Sequence, residues 1–447
     1  MPTRFVDLVR TKHFVPLAVT TLLLGVALSF TAPYLSLFGV EEASMSPLRL
    51  GVFMTLVSAS GVWASTVVAR WSDRSGRHRA SLIVSLIAAV LGYASLGFVH
   101  GYAGLVLVGV VLLGPGAASL SQIFSYARAA LAIDDAGQSE FALATLRTLL
   151  SAAWVFGPAV GALILSQAGF KGLFGFAAAS FAASAAIAMC MTETKDANRR
   201  PIVGTAQPSR TAAKSEPSAT RSEENVQHAS VHGSVDTTSA DSGSSAVAIA
   251  AATGARKAIP RILLALTLIG LAANATMILL PLYLVHALHG TRLTVSAALG
   301  TGALLEIPMM LWLGAKSSRL RKPNWLAASA AVHAVYFVAL AAVGQPLAVV
   351  PLQILPATVV AITSCLGMTY LQDLMPGELG AATALFFNAS RVGSILSGVL
   401  AGTIVGAFGY RAAFLLCAGL AVCAFVLLSL DMVRADGKRL RAGVRRA

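Results

Sequence analysis

The chain has 447 residues, 56% of them hydrophobic and 12% charged, with a mean hydropathy of +0.76. Soluble chains carry about 25% charged residues, so water is not the main solvent and a soluble globular fold is excluded. The net charge of +14 does not point to nucleic acid, because the basic residues lie between apolar stretches and not on one domain.

Apolar runs, each long enough to cross ~30 Å of hydrocarbon as a helix, are predicted at 14–38, 48–69, 80–99, 103–130, 140–167 and 172–191. A second set follows at 260–285, 294–315, 324–343, 347–371, 380–407 and 411–431. Inside lipid only helices and closed barrels pair every backbone group, and the ten-residue alternation of barrel strands is missing. The predicted fold is an all-α polytopic membrane protein of twelve transmembrane helices in two six-helix bundles, 1–191 and 259–433.

Residues 192–258 are rich in Ser, Thr, Ala and mixed charge and poor in large apolar residues, the composition of a disordered cytoplasmic linker. Residues 434–447 form a basic cytoplasmic tail. The apolar run behind the basic N-terminus is too long for a signal peptide and is read as an uncleaved first span. Cys190, Cys365, Cys417 and Cys423 have no metal-like spacing and are read as packing residues, so neither a metal nor a cofactor is expected.

Basic residues cluster before the first span (Arg4, Arg10, Lys12), after the second (Arg70, Arg74, Arg77, Arg79), after the eighth (Lys316, Arg319, Arg321, Lys322) and in the tail. The alternate loops hold scattered charge, such as Glu41, Glu42 and Arg292. This asymmetry places both termini in the cytoplasm. The halves also echo each other at offsets of 240 to 248 positions. Pro33-Tyr34-Leu35 resembles Pro281-Leu282-Tyr283-Leu284, and Gly169-Phe170-Lys171 resembles Gly409-Tyr410-Arg411. A duplicated six-helix unit is the reading.

Three ionisable residues fall inside spans: Arg147 in the fifth, Glu306 in the eighth and Arg391 in the eleventh. Each costs about 2.5–3.5 kcal/mol at a helix centre, so they should face a polar cavity or pair, with Glu306 and Arg391 as candidate partners. At helical spacing Arg147, Ser151, Trp154 and Pro158 share a face. Asn388, Asn274, Gln122 and Tyr126 add donors and acceptors. This mixture suits a hydroxylated neutral molecule: polar forks for hydroxyls and a ring for the CH face. Glu306, followed by Pro308, is the candidate proton-coupling residue, and His333 is read as packing. No enzyme motif or nucleotide loop occurs in the spans.

The loop Ala69-Arg70-Trp71-Ser72-Asp73-Arg74-Ser75-Gly76-Arg77-His78-Arg79 resembles the loop signature of the major facilitator superfamily, with Asp73, Arg74, Gly76 and Arg77 matching and Ala69 in place of a glycine. Gly157-Pro158-Ala159-Val160-Gly161 resembles the fifth-span motif of its exporters. Asp73, Arg74, Gly76, Arg77, Gly157 and Pro158 are thereby candidate gating residues. Thr301-Gly302-Ala303-Leu304-Leu305-Glu306-Ile307-Pro308-Met309, Tyr370-Leu371-Gln372-Asp373-Leu374-Met375-Pro376-Gly377 and Asn388-Ala389-Ser390-Arg391 resemble the bacterial sugar efflux transporter family. The resemblance implies proton-linked export of a sugar or glycoside across the bacterial inner membrane, by a chain working in the lipid bilayer and expected to be a monomer. A multidrug exporter of the same superfamily and a membrane sugar sensor that does not transport are the alternatives.

Overall fold

The computed structural model describes residue 11 and residues 14–131, 136–191, 241–375 and 379–444, and every regular element among them is a helix. The described residues of 1–194 and 255–447 form one compact unit, and the described residues 241–254 fall outside it. Of the expected linker, residues 192–240 lie outside the described residues. Residues 241–258 begin a helix that continues into the seventh span.

Helix α1 is Phe14–Glu41, α2 Pro47–Ser75, α3 His78–Leu96 and α4 Tyr102–Ala130. The stretch Ala136–Cys190 turns at Gly169 into α5 (136–168) and α6 (170–190). Helix α7 is Asp241–Leu282, α8 Arg292–Lys316, α9 Lys322–Ala342 and α10 Pro346–Leu374. Leu379–Val444 turns at Gly409 into α11 (379–408) and α12 (410–444).

Among the described residues ten helical stretches are long and apolar enough to cross a membrane; those containing Gly169 and Gly409 run for 46 and 49 residues. At 1.5 Å per residue each would be about 70 Å long if straight, more than twice the ~30 Å hydrocarbon core. Read as two spans apiece, they bring the number to twelve.

The two turns share an unusual backbone: φ 65°, ψ −169° at Gly169 and φ 80°, ψ 178° at Gly409. Essentially only glycine adopts this region. Nothing lies within 4 Å of where either Cβ would stand, so the constraint is the backbone's own. Gly169→Ala and Gly409→Ala are each expected to cost about 1–3 kcal/mol, read as a lowered Tm of the purified protein in detergent.

The repeat continues into the packing. In the first half Phe38 meets Phe170 and Phe174 at ring-centroid distances of 5.6 and 4.9 Å. In the second, Tyr283 meets Tyr410 and Phe414 at 6.0 and 5.0 Å. Phe170 and Phe174 stand at the glycines' own offset of 240 from Tyr410 and Phe414, and Phe38 at 245 from Tyr283. Both α4 and α10 also contain a single π-helical turn, Gly109–Leu113 and Thr363–Gly367.

The buried apolar side chains divide unevenly. One cluster runs through the first half, from Phe14 and Leu17 to Met191, and into the part of the second half that holds Leu279, Tyr283, Val295, Leu340 and Phe414. A separate cluster fills the rest of the second half, with Ile262, Leu266, Leu326, Val359, Leu371 and Leu428. The halves therefore share a core at the end of the molecule that holds Glu41, and not at the opposite end, where the basic loops lie.

Candidate functional site

The seam between the halves is made of small residues and hydroxyls. It is backed, within the first half, by the crossing of α1 and α5, where Ser29 Oγ donates to the Ala153 carbonyl at 2.9 Å and a Cβ on Gly157 would stand 1.8 Å from the same Oγ. Gly161 is equally tight, its Cβ position lying 2.8 Å from the Phe30 carbonyl oxygen. Small residues thus let the two backbones touch. The buried Tyr34 hydroxyl and Ser296 Oγ lie 2.7 Å apart, and both reach the Pro158 carbonyl oxygen, at 3.0 and 2.7 Å. Pro158 is therefore a three-helix junction of α1, α5 and α8. The carbonyls that receive outside donors are those of Ala153 and Pro158.

A second line joins α2 to α11. A Cβ on Gly51 would stand 2.4 Å from the Gly398 carbonyl oxygen, and one on Gly402 2.3 Å from that of Pro47. Thr55 Oγ1 accepts from the Val399 N–H at 2.9 Å. Above both lines Glu41 closes the end: its Oε2 takes Arg292 Nη2 at 2.9 Å, and its Oε1 lies 3.6 Å from His286 Nε2. The Arg292 guanidinium also lies 5.8 Å from the centre of the Phe170 ring. In the sequence Glu41 and Arg292 are only scattered loop charge; nothing in a linear sequence pairs positions so far apart.

At the opposite end Gly76 caps α2 with φ 66°, donating its N–H to the Ser72 carbonyl at 2.9 Å. Arg74 and Arg77 are exposed, and the side chain of Asp73 lies outside the described residues. Arg79 donates from Nε to the Ala188 carbonyl at 3.0 Å and from Nη2 to that of Met189, tying α3 to the end of α6. Lys322 Nζ donates to Asp373 Oδ2 at 2.5 Å, tying α9 to α10.

The predicted site residues fall into separate places. Arg147 is exposed, with its guanidinium 5.8 Å from the Phe124 ring; Ser151, also exposed, donates to the Arg147 carbonyl at 3.2 Å. Trp154 is half-buried a turn further on. Asn388 is exposed and Arg391 half-buried on α11. Asn274 Nδ2 donates back to the Gly270 carbonyl at 2.7 Å. Gln122 and Tyr126 are fully buried, and Gln122 Oε1 accepts from Ser81 Oγ at 2.7 Å, a contact between α3 and α4. Among the described ion pairs none joins Glu306 to Arg391.

Depth relates three of them. Arg147 lies eleven residues before Pro158, and Glu306 ten after Ser296. At 1.5 Å per residue, both stand about 15 Å from the Pro158–Ser296 junction, toward the basic end. Arg391 lies about 10 Å from Gly398 in the same direction.

Glu306 opens into a cavity of about 150 Å³ between α7, α8, α9 and α10, whose polar lining is Thr276, Glu306, His333, Tyr336 and Gln353. None of the eight residues expected to contact substrate lines it. His333, expected to be simple packing, does. Its signal in the sequence was only a lone histidine among Ala and Val, which does not show what faces it.

The model of the Major Facilitator Superfamily matches residues 17–397, and again 262–443. A Deinococcus radiodurans protein provisionally named a sugar efflux transporter is 36% identical over 93% of this chain and 97% of its own length. The sugar efflux transporter A of Dickeya chrysanthemi is 30% identical over 91% of this chain and 93% of its own. Among solved structures, the nucleoside transporter NupG superimposes with a TM-score of 0.68 at 15% identity, covering 94% of this chain and 99% of that one. The peptide transporter POT bound to sulfate gives 0.69 at 14% identity, covering 94% of each. The first two carry family membership, and the last two carry the fold alone. The chain thus belongs to the Major Facilitator Superfamily and, within it, to the sugar efflux transporters.

Proposed function

We propose that the protein exports a sugar or glycoside across the bacterial inner membrane in exchange for protons, by alternating access of a site between its two halves. The observation that carries this is the one-sided seam. The halves share hydrogen bonds, glycine contacts and apolar core at the Glu41 end, while the basic end of the second half keeps its own core. With both termini cytoplasmic, this is a carrier closed to the outside. Rocking the halves would break the seam and close the other end, with the loop residues Asp73, Arg74, Gly76 and Arg77 serving there and Gly157–Pro158 as the pivot.

Arg147, Ser151 and Trp154 from one half, and Asn388 and Arg391 from the other, are the proposed substrate contacts. Gln122 and Tyr126, which are fully buried, and Asn274, whose amide bonds back to its own helix, are the proposed supports of that set. Glu306, with no arginine paired to it among the described residues, is the proposed proton-coupling group. The relatives' names support a sugar as cargo. Arg147 and Arg391 would repel a cationic drug, which counts against the multidrug alternative.

Counterflow in proteoliposomes tests the reading: a transporter exchanges labelled for unlabelled sugar, and a sensor does not. Arg391→Ala is expected to abolish counterflow while leaving membrane insertion unchanged. Wild-type exchange in that variant would remove Arg391 from the site.

A further inference from the structure

His333 is 2% exposed in the middle of α9, and its Nδ1 has neither solvent contact nor a hydrogen-bond partner among the described residues. An unsatisfied buried polar atom costs about 1–3 kcal/mol. A packing role gives no return for that, because a leucine or phenylalanine would fill the space without the penalty. The ring is wedged by its neighbours, 4.5 Å from Phe337 and stacked at 6.3 Å on Tyr336.

The cavity it lines adds the second half of the case. Glu306 faces the same space from α8, and no described ion pair or hydrogen bond engages its carboxylate. Gln353 Nε2 donates to the Tyr336 hydroxyl at 3.4 Å, which leaves that hydroxyl's own proton free for the cavity. The cavity's volume of about 150 Å³ is well above the roughly 10–15 Å³ needed for one water, so water can bridge groups that do not touch.

The other ionisable groups nearby are few. Cys365 of α10 is within electrostatic range of Glu306, and Cys417 of α12 within range of Tyr336. The α7 wall offers only Thr276 and apolar side chains. Among the lining residues one carboxylate and one imidazole are therefore the groups whose ordinary chemistry suits them to bind and release a proton, the tyrosine hydroxyl holding its own far more tightly.

We propose that His333 and Glu306 form a single proton-binding site within the second half, spatially apart from the sugar contacts. The imidazole and the carboxylate share one proton through the cavity. The loaded site is neutral overall, either as acid plus neutral imidazole or as imidazolium plus carboxylate. The unloaded site carries one negative charge. The proton enters from the outside, leaves to the cytoplasm, and no other group is consumed. This deepens the proton-exchange reading above and depends on it.

The test separates coupling from sugar exchange. His333→Gln and Glu306→Gln are reconstituted, and each is assayed for counterflow and for uphill transport driven by an imposed pH gradient. Counterflow is expected to persist in both within about threefold, while gradient-driven accumulation falls at least tenfold in each. The double variant should lose no more than either single one, because one site is removed once. If Glu306→Gln loses coupling and His333→Gln keeps it with an unchanged pH profile, the shared site is wrong and the coupling role of Glu306 stands. If Glu306→Gln keeps full coupling, both readings fail. Loss of counterflow together with coupling in His333→Gln would make it a packing or sugar residue, contrary to the proposal. A measurement on otherwise native protein needs no His333 variant. With ¹⁵N-labelled histidine, the His333 ring signals should titrate, and that titration should move on Glu306→Gln; an unmoved titration overturns the sharing.

Discussion

Replacing Gly398 by valine should trap the carrier open to the outside and reduce sugar exchange by at least tenfold, with normal insertion. A Cβ at Gly398 would stand 2.6 Å from the Gly51 carbonyl oxygen and 2.8 Å from the Thr55 backbone nitrogen. Those obstacles are backbone atoms, which cannot rotate away. Overpacking of this kind costs about 1–3 kcal/mol, and in a carrier that cost falls only on the state in which α2 and α11 touch. One state is penalised and the other is not, so the equilibrium moves. Gly398→Ala should show the same effect more weakly. The readout is labelling of a cysteine at Leu279, which is 3% exposed and lines the seam pocket with Gly398. In a background without the four native cysteines, an outside thiol reagent should reach that cysteine faster in the valine variant. An unchanged rate with full transport would mean the α2–α11 contact does not change during the cycle.

The Glu41 cluster gives the second large effect. Its side chains are part-exposed, 21% for Glu41 and 38% for Arg292, so removal of the pair by Glu41→Ala is worth only about 0.2–1 kcal/mol. Reversal is a different matter. Glu41→Arg places three basic groups together, with Arg292 and His286, and turns attraction into repulsion across the seam. Outside labelling at Leu279→Cys should rise several-fold, more than for Glu41→Ala, and should fall again at high salt because exposed charges are screened. Adding Arg292→Glu restores opposite charges and should bring labelling back toward wild type. If the charge-swapped protein labels as fast as Glu41→Arg, the ion pair is not what closes this end.

Much of the fold was legible because lipid imposes simple rules. Runs of apolar residues had to be helices, and the basic loops had to alternate. Even the paired glycines at 169 and 409 could be read as part of the repeat between the halves, and both adopt the same glycine-only conformation. What sequence could not supply was pairing across the halves. Glu41 with Arg292, Tyr34 with Ser296, and Gly51 with Gly398 are each separated by hundreds of residues, and no local pattern links them.

The candidate site divides in the same way. Arg147, Glu306 and Arg391 stood out because charge is costly inside a span. Which way each one turns depends on neighbouring helices, and that decides their company: Glu306 faces His333 and Gln353, not Arg391. Gln122 has the chemistry of a ligand contact, and its amide oxygen is taken up by Ser81 of α3. A polar residue within a span looks alike in sequence whether it meets a ligand or another helix.

The central claim is proton-driven sugar export, and everted membrane vesicles loaded with acid buffer test it most directly. With the interior more acidic than the medium, vesicles containing the protein should accumulate labelled sugar, and collapse of the gradient with a protonophore should release it. Uptake of a cationic drug with no uptake of any sugar tested, or sugar accumulation that survives the protonophore, would contradict the account.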